Sequence, residues 1–271
     1  MHPVPTWRRT AALLAGLALT LLAGCASDNK DEFAGRSAEK LYAEAKADAD
    51  AGSYDRAIKA LERVEGLGAG TLLAQQAQID LAYLYWKTNE KAQALTTVER
   101  FIKYNPSSPA LDYALYLRGV INFNDNLGLL GNLAGQDLSE RDQRASRDAY
   151  QAFKQLVEQF PASRYAADAR LRMDYIVNTL AAYEVHVARY YYNRGAYLAA
   201  ANRAQQAVTE FQQAPAIEEA LDILVRSYDK LQLPVLRDDA ARVLKSSFPD
   251  SAFIPGARPR QAASKPWWRF W

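Results

Sequence analysis

The sequence predicts an all-helical fold built from about five repeated helix-turn-helix hairpins. No strand-like alternation stands out after the first 36 residues, and successive segments are amphipathic and rich in Ala, Leu and Gln. Small residues recur at a fixed spacing: Ala45 and Ala57 are 12 apart, as are Ala82 and Ala94, and the two pairs are offset by 37. Three prolines that would stop a helix are each followed two residues later by serine: Pro106, Pro161 and Pro249.

The first element, residues 1–24, has the three parts of a secretory signal peptide. Two arginines form a positive start, and the uncharged apolar run that follows is too short for a membrane-spanning helix. The sequence Leu22-Ala23-Gly24-Cys25 resembles the bacterial lipobox, in which small residues precede the cut and the cysteine thiol carries a diacylglycerol. We therefore expect cleavage before Cys25, acylation of Cys25 and a lipidated linker over residues 25–36.

The residue after the cysteine and the charge balance predict the location. An aspartate directly after the cysteine would resemble an inner-membrane retention signal, but this position holds Ala26. We therefore expect the protein to lie at the periplasmic face of the outer membrane. Without Arg8 and Arg9 the 33 basic residues become 31, which equals the 31 acidic residues. A neutral chain argues against nucleic acid as a partner. Cys25 is the only cysteine, so no disulfide is expected.

The hairpins resemble tetratricopeptide repeats. In the second unit Ala82 takes the small position of helix A, Tyr85 the aromatic position, and Ala94 the small position of helix B. Small residues let the two helices approach closely, and the proline ends helix B. The resemblance implies a superhelical array over residues 37–253, whereas helical hairpins without this geometry are the alternative. The expected units are 37–66, 74–107, 110–162, 164–213 and 216–250.

Core positions follow from the same alignment. They comprise Ala45, Ala57, Leu61, Val64, Val98, Phe101, Gly119, Ala149, Phe153, Leu156, Ala188, Tyr191, Ala200, Ala204, Ala207, Val225, Tyr228 and Leu244. The fifth unit is the weakest because Arg237 replaces the expected alanine. The third unit carries an insertion over 122–140, either a binding loop or a disordered one. Each serine after a proline is expected to cap the next helix.

Catalytic groups are scarce, so we expect neither an enzyme nor a cofactor. His186, the single histidine after the signal peptide, cannot by itself form a metal site or a Cys/His pair. We interpret it as a packing residue within a helix. The carboxylates are spread over solvated helix faces, and no metal site is predicted.

The groove-facing positions of the tetratricopeptide family carry aromatic residues in the N-terminal half of this chain. They are Tyr42, Tyr83, Trp86, Tyr113, Tyr116 and Phe123, the candidate peptide-binding groove. Rings give a large contact area at low entropy cost, which suits an extended peptide with apolar or aromatic side chains. The alternative is that these rings pack against neighbouring helices. The corresponding positions of the last two units are mostly charged: Arg189, Tyr192, Asp222, Arg226, Asp229 and Lys230.

Residues 254–271 form a basic, Trp-rich tail. From Pro255 onward it has four cationic residues and no acidic one, and it ends in Trp267-Trp268-Arg269-Phe270-Trp271. We expect it to be flexible. Its composition leaves three alternatives open: binding an anionic membrane surface, binding a partner protein, or no function.

Several stretches resemble the BamD family, also called ComL, the lipoprotein subunits of the outer-membrane β-barrel assembly machinery. They are Asp55-Arg56-Ala57-Ile58, Ser139-Glu140-Arg141-Asp142, and Val187-Ala188-Arg189-Tyr190-Tyr191 with Arg194-Gly195-Ala196-Tyr197 and Asn202-Arg203. The resemblance covers nearly the whole mature chain and implies an adaptor. Its N-terminal repeats would recognise segments of unfolded outer-membrane β-barrel proteins. Its C-terminal repeats would dock the central barrel subunit (BamA-like) and accessory lipoproteins, with expected docking residues Arg189, Tyr192, Arg194, Tyr197, Asn202, Arg203 and Arg226.

Two other functions remain as alternatives. One is a tetratricopeptide lipoprotein that acts as a scaffold for peptidoglycan synthesis. The other is a lipid-anchored peptidoglycan hydrolase. The sequence argues against it because it lacks the nucleophile and metal-binding groups that such an enzyme needs.

Overall fold

A computed structural model of the chain describes residues 33–123 and 143–254, and every regular element within these ranges is an α-helix. The ten helices are α1 (Ala38–Asp50), α2 (Tyr54–Leu67), α3 (Leu72–Lys87), α4 (Lys91–Tyr104), α5 (Leu111–Asn122), α6 (Gln143–Gln159), α7 (Ala166–Asn193), α8 (Tyr197–Glu210), α9 (Ile217–Lys230) and α10 (Pro234–Ser247). The prediction of an all-helical fold is therefore confirmed. Cys25, most of the 122–140 insertion and the tail beyond Ile254 lie outside the described residues.

The chain divides after Ala77 into two compact units. In the N-terminal unit, helices α1 and α2 form a hairpin whose core contains Leu41, Ala45, Leu61 and Val64. Gly52 makes the turn between them at φ 79°, a left-handed conformation that side-chain-bearing residues rarely adopt. The hairpin is therefore closed by a glycine at the position where the sequence spacing expects a turn.

The C-terminal unit, from residue 78 onward, contains two clusters of buried side chains. The smaller one joins α3, α4 and α5 and includes Ile79, Ala82, Val98, Phe101 and Leu117. The larger one runs from α5 to α10. Each helix from α4 to α10 packs against the next, as in an array of hairpins. The small residues predicted from the repeat alignment are fully buried there: Ala82, Ala94, Ala149, Ala188, Ala200, Ala204 and Ala207.

Helix α7 is much longer than its neighbours α6 and α8, which have 17 and 14 residues, and the repeat spacing does not predict this length. It has 28 residues and no proline or glycine, and Gly195, at φ 77°, follows its end. Because short turns connect it to both neighbours, α6 lies antiparallel to its first half and α8 to its second half. The N-terminal end of α6 and the C-terminal end of α8 therefore meet over the middle of α7, where Arg147 pairs with Glu210 at 3.5 Å.

Two sequence expectations about single residues are wrong. Ser108 and Ser163 are not N-caps: each lies in the turn, three residues before the first residue of the next helix. The segment that Ser251 would cap lies outside the described residues. The Ser163 Oγ atom accepts a hydrogen bond from the Tyr165 N–H at 3.2 Å, the geometry of a serine turn. His186 is exposed on α7, and so it does not fill the core.

Candidate functional site: an aromatic cluster and a charged face

The aromatic residues on α3 present one exposed ring beside a half-buried one. Tyr83 and Trp86 are three residues apart, so they share a face of the helix, and their ring centroids lie 5.8 Å apart. Tyr83 is 37% exposed. The Lys87 Nζ atom lies 5.8 Å from the centroid of the Trp86 ring, which adds a cation–π contact. These two rings are accessible to a ligand.

The aromatic residues on α5 are packed against the start of α7. The Tyr116 ring stacks on Tyr165 at 4.8 Å, and the Tyr113 ring lies 5.3 Å from the same residue. The Tyr116 hydroxyl donates a hydrogen bond of 2.7 Å to Oδ2 of Asp168, and the Arg172 Nε–H donates one of 2.6 Å to the same oxygen. Tyr113 and Tyr116 thus build a wall against Tyr165, and the Tyr116 phenol is already hydrogen-bonded to Asp168.

Burial and neighbouring groups make Tyr113 hard to ionise. Burial first, then the Tyr165 phenol and the Asp80 carboxylate, raise the pKa of Tyr113 to about 12. The Tyr83 and Tyr116 phenols add to the shift, which means that the α3 and α5 tyrosines are electrostatic neighbours.

Phe123, at the end of α5, is enclosed by rings and a cation. Its ring centroid lies 5.7 Å from Tyr175 and 6.4 Å from Phe153, both in edge-to-face arrangement. The Arg172 guanidinium carbon lies 4.9 Å from its centroid. Of the six predicted groove residues, five therefore lie on α3 and α5 in one unit. Tyr42 is half-buried on α1 in the other unit.

Sequence reasoning missed the α7 side of this cluster. Tyr165, Asp168, Arg172 and Tyr175 follow one another at three- and four-residue spacing, so they line one face of the helix. That spacing is visible in the sequence. The repeat alignment gives the fourth unit the range 164–213, but it places the small position of helix A at Ala188 and assigns no role to the residues before it.

The charged face lies where α7 and α9 contact each other. Arg189 donates two hydrogen bonds to the Glu219 carboxylate, of 2.6 and 2.7 Å, in the bidentate geometry that arginine favours. One turn further along α7, the Tyr192 ring lies under the Arg226 guanidinium at 4.7 Å. Arg226 also pairs with Asp222 at 2.7 Å. Burial raises the pKa of Asp222, and the Arg226 guanidinium opposes that shift.

The predicted docking residues do not form one surface. Arg189, Tyr192 and Arg226 lie together on the α7–α9 face, and the Tyr197 ring joins them 5.4 Å from Tyr192. Arg203 instead extends from α8 to Glu184 on α7, at 3.1 Å. Glu184 and Arg189 are five residues apart in one helix, which puts them about 140° apart around its axis.

The two remaining docking residues lie elsewhere. Asn202 is exposed on α8, next in sequence to Arg203. Arg194, at the end of α7, lies with its guanidinium carbon 5.3 Å from the centroid of the Tyr190 ring. Within residues 33–123 and 143–254, no three His, Cys, Asp or Glu side chains are grouped so as to hold a metal ion. No helix of these ranges is both long and apolar enough to cross a bilayer.

The described part of the chain belongs to the class of all-helical repeat proteins, and it carries an accessible aromatic pair on α3 and a charged face between α7 and α9. Comparison with known sequences identifies the family. The family model described as "YfiO: Outer membrane lipoprotein" matches residues 35–244. The chain therefore belongs to the BamD (YfiO) family of outer membrane lipoproteins.

The relatives match along almost their whole length. The "Outer membrane protein assembly factor BamD" of Neisseria meningitidis serogroup B is 46% identical, over 94% of this chain and 96% of the relative. The protein of that name from Haemophilus influenzae is 32% identical, over 93% and 95%. A solved structure of TPR-like repeats from a Podosopora anserina putative kinesin light chain covers 77% of this chain and 94% of its own, at 17% identity and TM-score 0.32.

Proposed function

We propose that this protein is a lipid-anchored periplasmic adaptor of the outer-membrane β-barrel assembly complex. The observation that carries the proposal is the match to assembly factors over 94% of this chain, at 46% identity in one relative. Cys25 would hold the acyl chains, and residues 26–32 would link it to the helical units. The anchor would keep the protein on the periplasmic face of the outer membrane.

The aromatic cluster supports recognition of unfolded barrel proteins. The exposed Tyr83 ring and its neighbour Trp86 offer the contact area, and the wall formed by Tyr113 and Tyr116 limits it on one side. Rigid rings suit apolar and aromatic side chains that alternate along an extended peptide. Phe123 would hold the wall in place, and Tyr42 would supply a separate aromatic contact from the N-terminal unit.

The charged residues support docking of the central barrel subunit and of accessory lipoproteins. Aromatic and arginine side chains dominate binding energy at protein interfaces, and Tyr192 and Arg226 form such a pair. Arg189 and Tyr197 flank this pair on the α7–α9 face. Arg194, Asn202 and Arg203 would meet a different partner or a different part of the same one, because they lie away from that face.

A pull-down in mild detergent tests the proposal. The acylated protein is purified from outer membranes, and its partners are identified by mass spectrometry. We expect a large barrel protein with periplasmic domains as the main partner. Recovery of cell-wall synthases in its place would overturn the assembly function and support the peptidoglycan scaffold. Clearing of peptidoglycan in a zymogram would show a hydrolase.

A matched pair of variants locates the docking face. The double variant Tyr192→Ala/Arg226→Ala should reduce recovery of the barrel protein about tenfold or more, the usual effect of removing two central interface residues. Arg242→Ala is the control, since Arg242 is also exposed and also paired with a carboxylate, Asp239, on α10. Equal recovery with both variants would contradict docking through the α7–α9 face.

A further inference from the structure

The turn between consecutive hairpins has a recurring hydrogen-bond pattern. A central residue donates its backbone N–H to the carbonyl three residues before it and accepts from the N–H three residues after it. Each bond is 2.9 to 3.1 Å long, and the last residue begins the next helix. The three examples are Asn105/Ser108/Leu111 before α5, Phe160/Ser163/Ala166 before α7, and Phe211/Ala214/Ile217 before α9.

A fourth copy of the same turn follows α10. Ser251 donates to the Phe248 carbonyl at 3.0 Å and accepts from the Ile254 N–H at 3.1 Å. Its Oγ atom accepts from the Phe253 N–H at 3.2 Å, as the Ser163 Oγ atom does from Tyr165. Ile254 packs against the larger core, which also contains Leu111 and Ile217 at the matching position. The chain after Ile254 therefore continues from a turn that elsewhere starts another helix.

The α9–α10 hairpin presents an apolar flank that no described element covers. Leu236, Ala240 and Val243 share one face of α10, at helical spacing. Leu236 is 45% exposed and Val243 is 42% exposed, although Ala240 between them is buried. Phe253, beside the turn, is 41% exposed, whereas Ala110, Tyr165 and Ala216 at the matching positions are only partly exposed. An end hairpin of a repeat array needs a cap over such a face.

We propose that residues 255–271 cap the array by occupying the position of a next helix A, against the Leu236–Val243 flank of α10. Their 17 residues exceed the 14 of α9 or α10, so the segment is long enough to cover the hairpin. Trp267, Trp268, Phe270 and Trp271 supply the apolar side chains. Pro259 and Pro266 exclude an unbroken helix, so the proposal concerns position alone. It is independent of the assembly function.

Photo-crosslinking within the full acylated chain tests this position. Benzoylphenylalanine replaces Phe270, and the cross-linked peptides are mapped by mass spectrometry. We expect intramolecular cross-links to α9 and α10. The double variant Leu236→Asp/Val243→Asp should reduce them about tenfold or more, because each buried aliphatic side chain contributes that order to a binding equilibrium. Val235→Asp is the control, since Val235 is 71% exposed and lies outside the flank.

Three results would overturn the proposal. The first is the absence of intramolecular cross-links, with the label transferred instead to lipid in phosphatidylglycerol vesicles or to a second protein. The second is cross-linking to helices other than α9 and α10. The third is cross-linking that the double variant does not reduce. Circular dichroism checks that the double variant is folded. If it is unfolded, the cross-link map of the chain that carries only the label at position 270 decides whether the segment lies against α9 and α10.

Discussion

At the scale of single residues, the contact between Glu184 and Arg203 joins a buried carboxylate on α7 to a cation on α8. Glu184 is 2% exposed, and its carboxylate accepts a hydrogen bond of 3.1 Å from the Arg203 guanidinium. A buried carboxylate that loses its partner keeps its desolvation cost without the compensating interaction. Arg203 is therefore both an expected docking residue and a structural one, and its two roles need separate tests.

Arg203→Ala should lower the free energy of unfolding by about 2 kcal/mol, the cost of leaving a buried polar group unsatisfied. In a Glu184→Gln background, Arg203→Ala should lower the free energy of unfolding much less, because no buried charge is left without a partner. Urea denaturation followed by circular dichroism measures both values. Equal losses in the two backgrounds would show that the ion pair has no structural role.

Tyr113 gives the fold a dependence on alkaline pH. Its pKa of about 12 lies above the ordinary value of 10.0, so the folded chain keeps this phenol protonated after the unfolded chain has lost the proton. The stability that this group contributes is complete below pH 10 and is lost as the pH rises toward 12. In Tyr113→Phe the urea midpoint should therefore fall less between pH 9 and pH 11.5, whereas Tyr104→Phe, at an exposed position, should follow the unmodified protein.

At the scale of elements, the alanine spacing predicts the hairpins, because small residues must recur wherever two helices approach closely. It does not predict the 28-residue length of α7. The repeat alignment places the small position of helix A of the fourth unit at Ala188, 22 residues after the first residue of α7, and no proline or glycine interrupts the helix before Gly195. This error also explains why Tyr165 and Asp168 were missed, since they belong to the half of α7 that had no assigned role.

The serine positions show a second limit of sequence reasoning. A serine two residues after a proline suits either an N-cap or a serine turn, and both use the same Oγ acceptor. Only the backbone bond from the Ala166 N–H to the Ser163 carbonyl shows that the serine precedes the helix by three residues. The repeat alignment predicts which helices carry the aromatic groove residues. It does not predict which faces of those rings are covered, because the covering residues lie at the start of α7.

Gly119 fixes the distance between α5 and α6. A Cβ atom at this position would lie well inside van der Waals contact with the Phe153 ring, which is fully buried and cannot move aside. Gly119→Ala should therefore lower the free energy of unfolding by about 1–3 kcal/mol, as overpacking does. Gly66→Ala on α2 is the control, because no atom lies within 4 Å of its Cβ position. Thermal unfolding of the two variants makes the comparison, and equal stability would contradict the close approach.

At the scale of the whole molecule, the protein keeps its two kinds of surface on different helices. The accessible aromatic pair lies on α3, and the arginine–tyrosine pair joins α7 to α9. The adaptor function that we propose requires this separation, because a client would have to be held while the partner complex stays bound. The proposed cap by residues 255–271 would protect the end of the array without using either surface.

The most direct test of the adaptor function is site-specific photo-crosslinking in cells that are synthesising outer-membrane barrel proteins. Benzoylphenylalanine is placed at Tyr83, in the aromatic cluster, or at Tyr104, which is 69% exposed on α4 and serves as the control. We predict cross-links from position 83 to unfolded barrel proteins and far fewer from position 104. Equal cross-linking from both positions, or none to barrel proteins from position 83, would contradict the account.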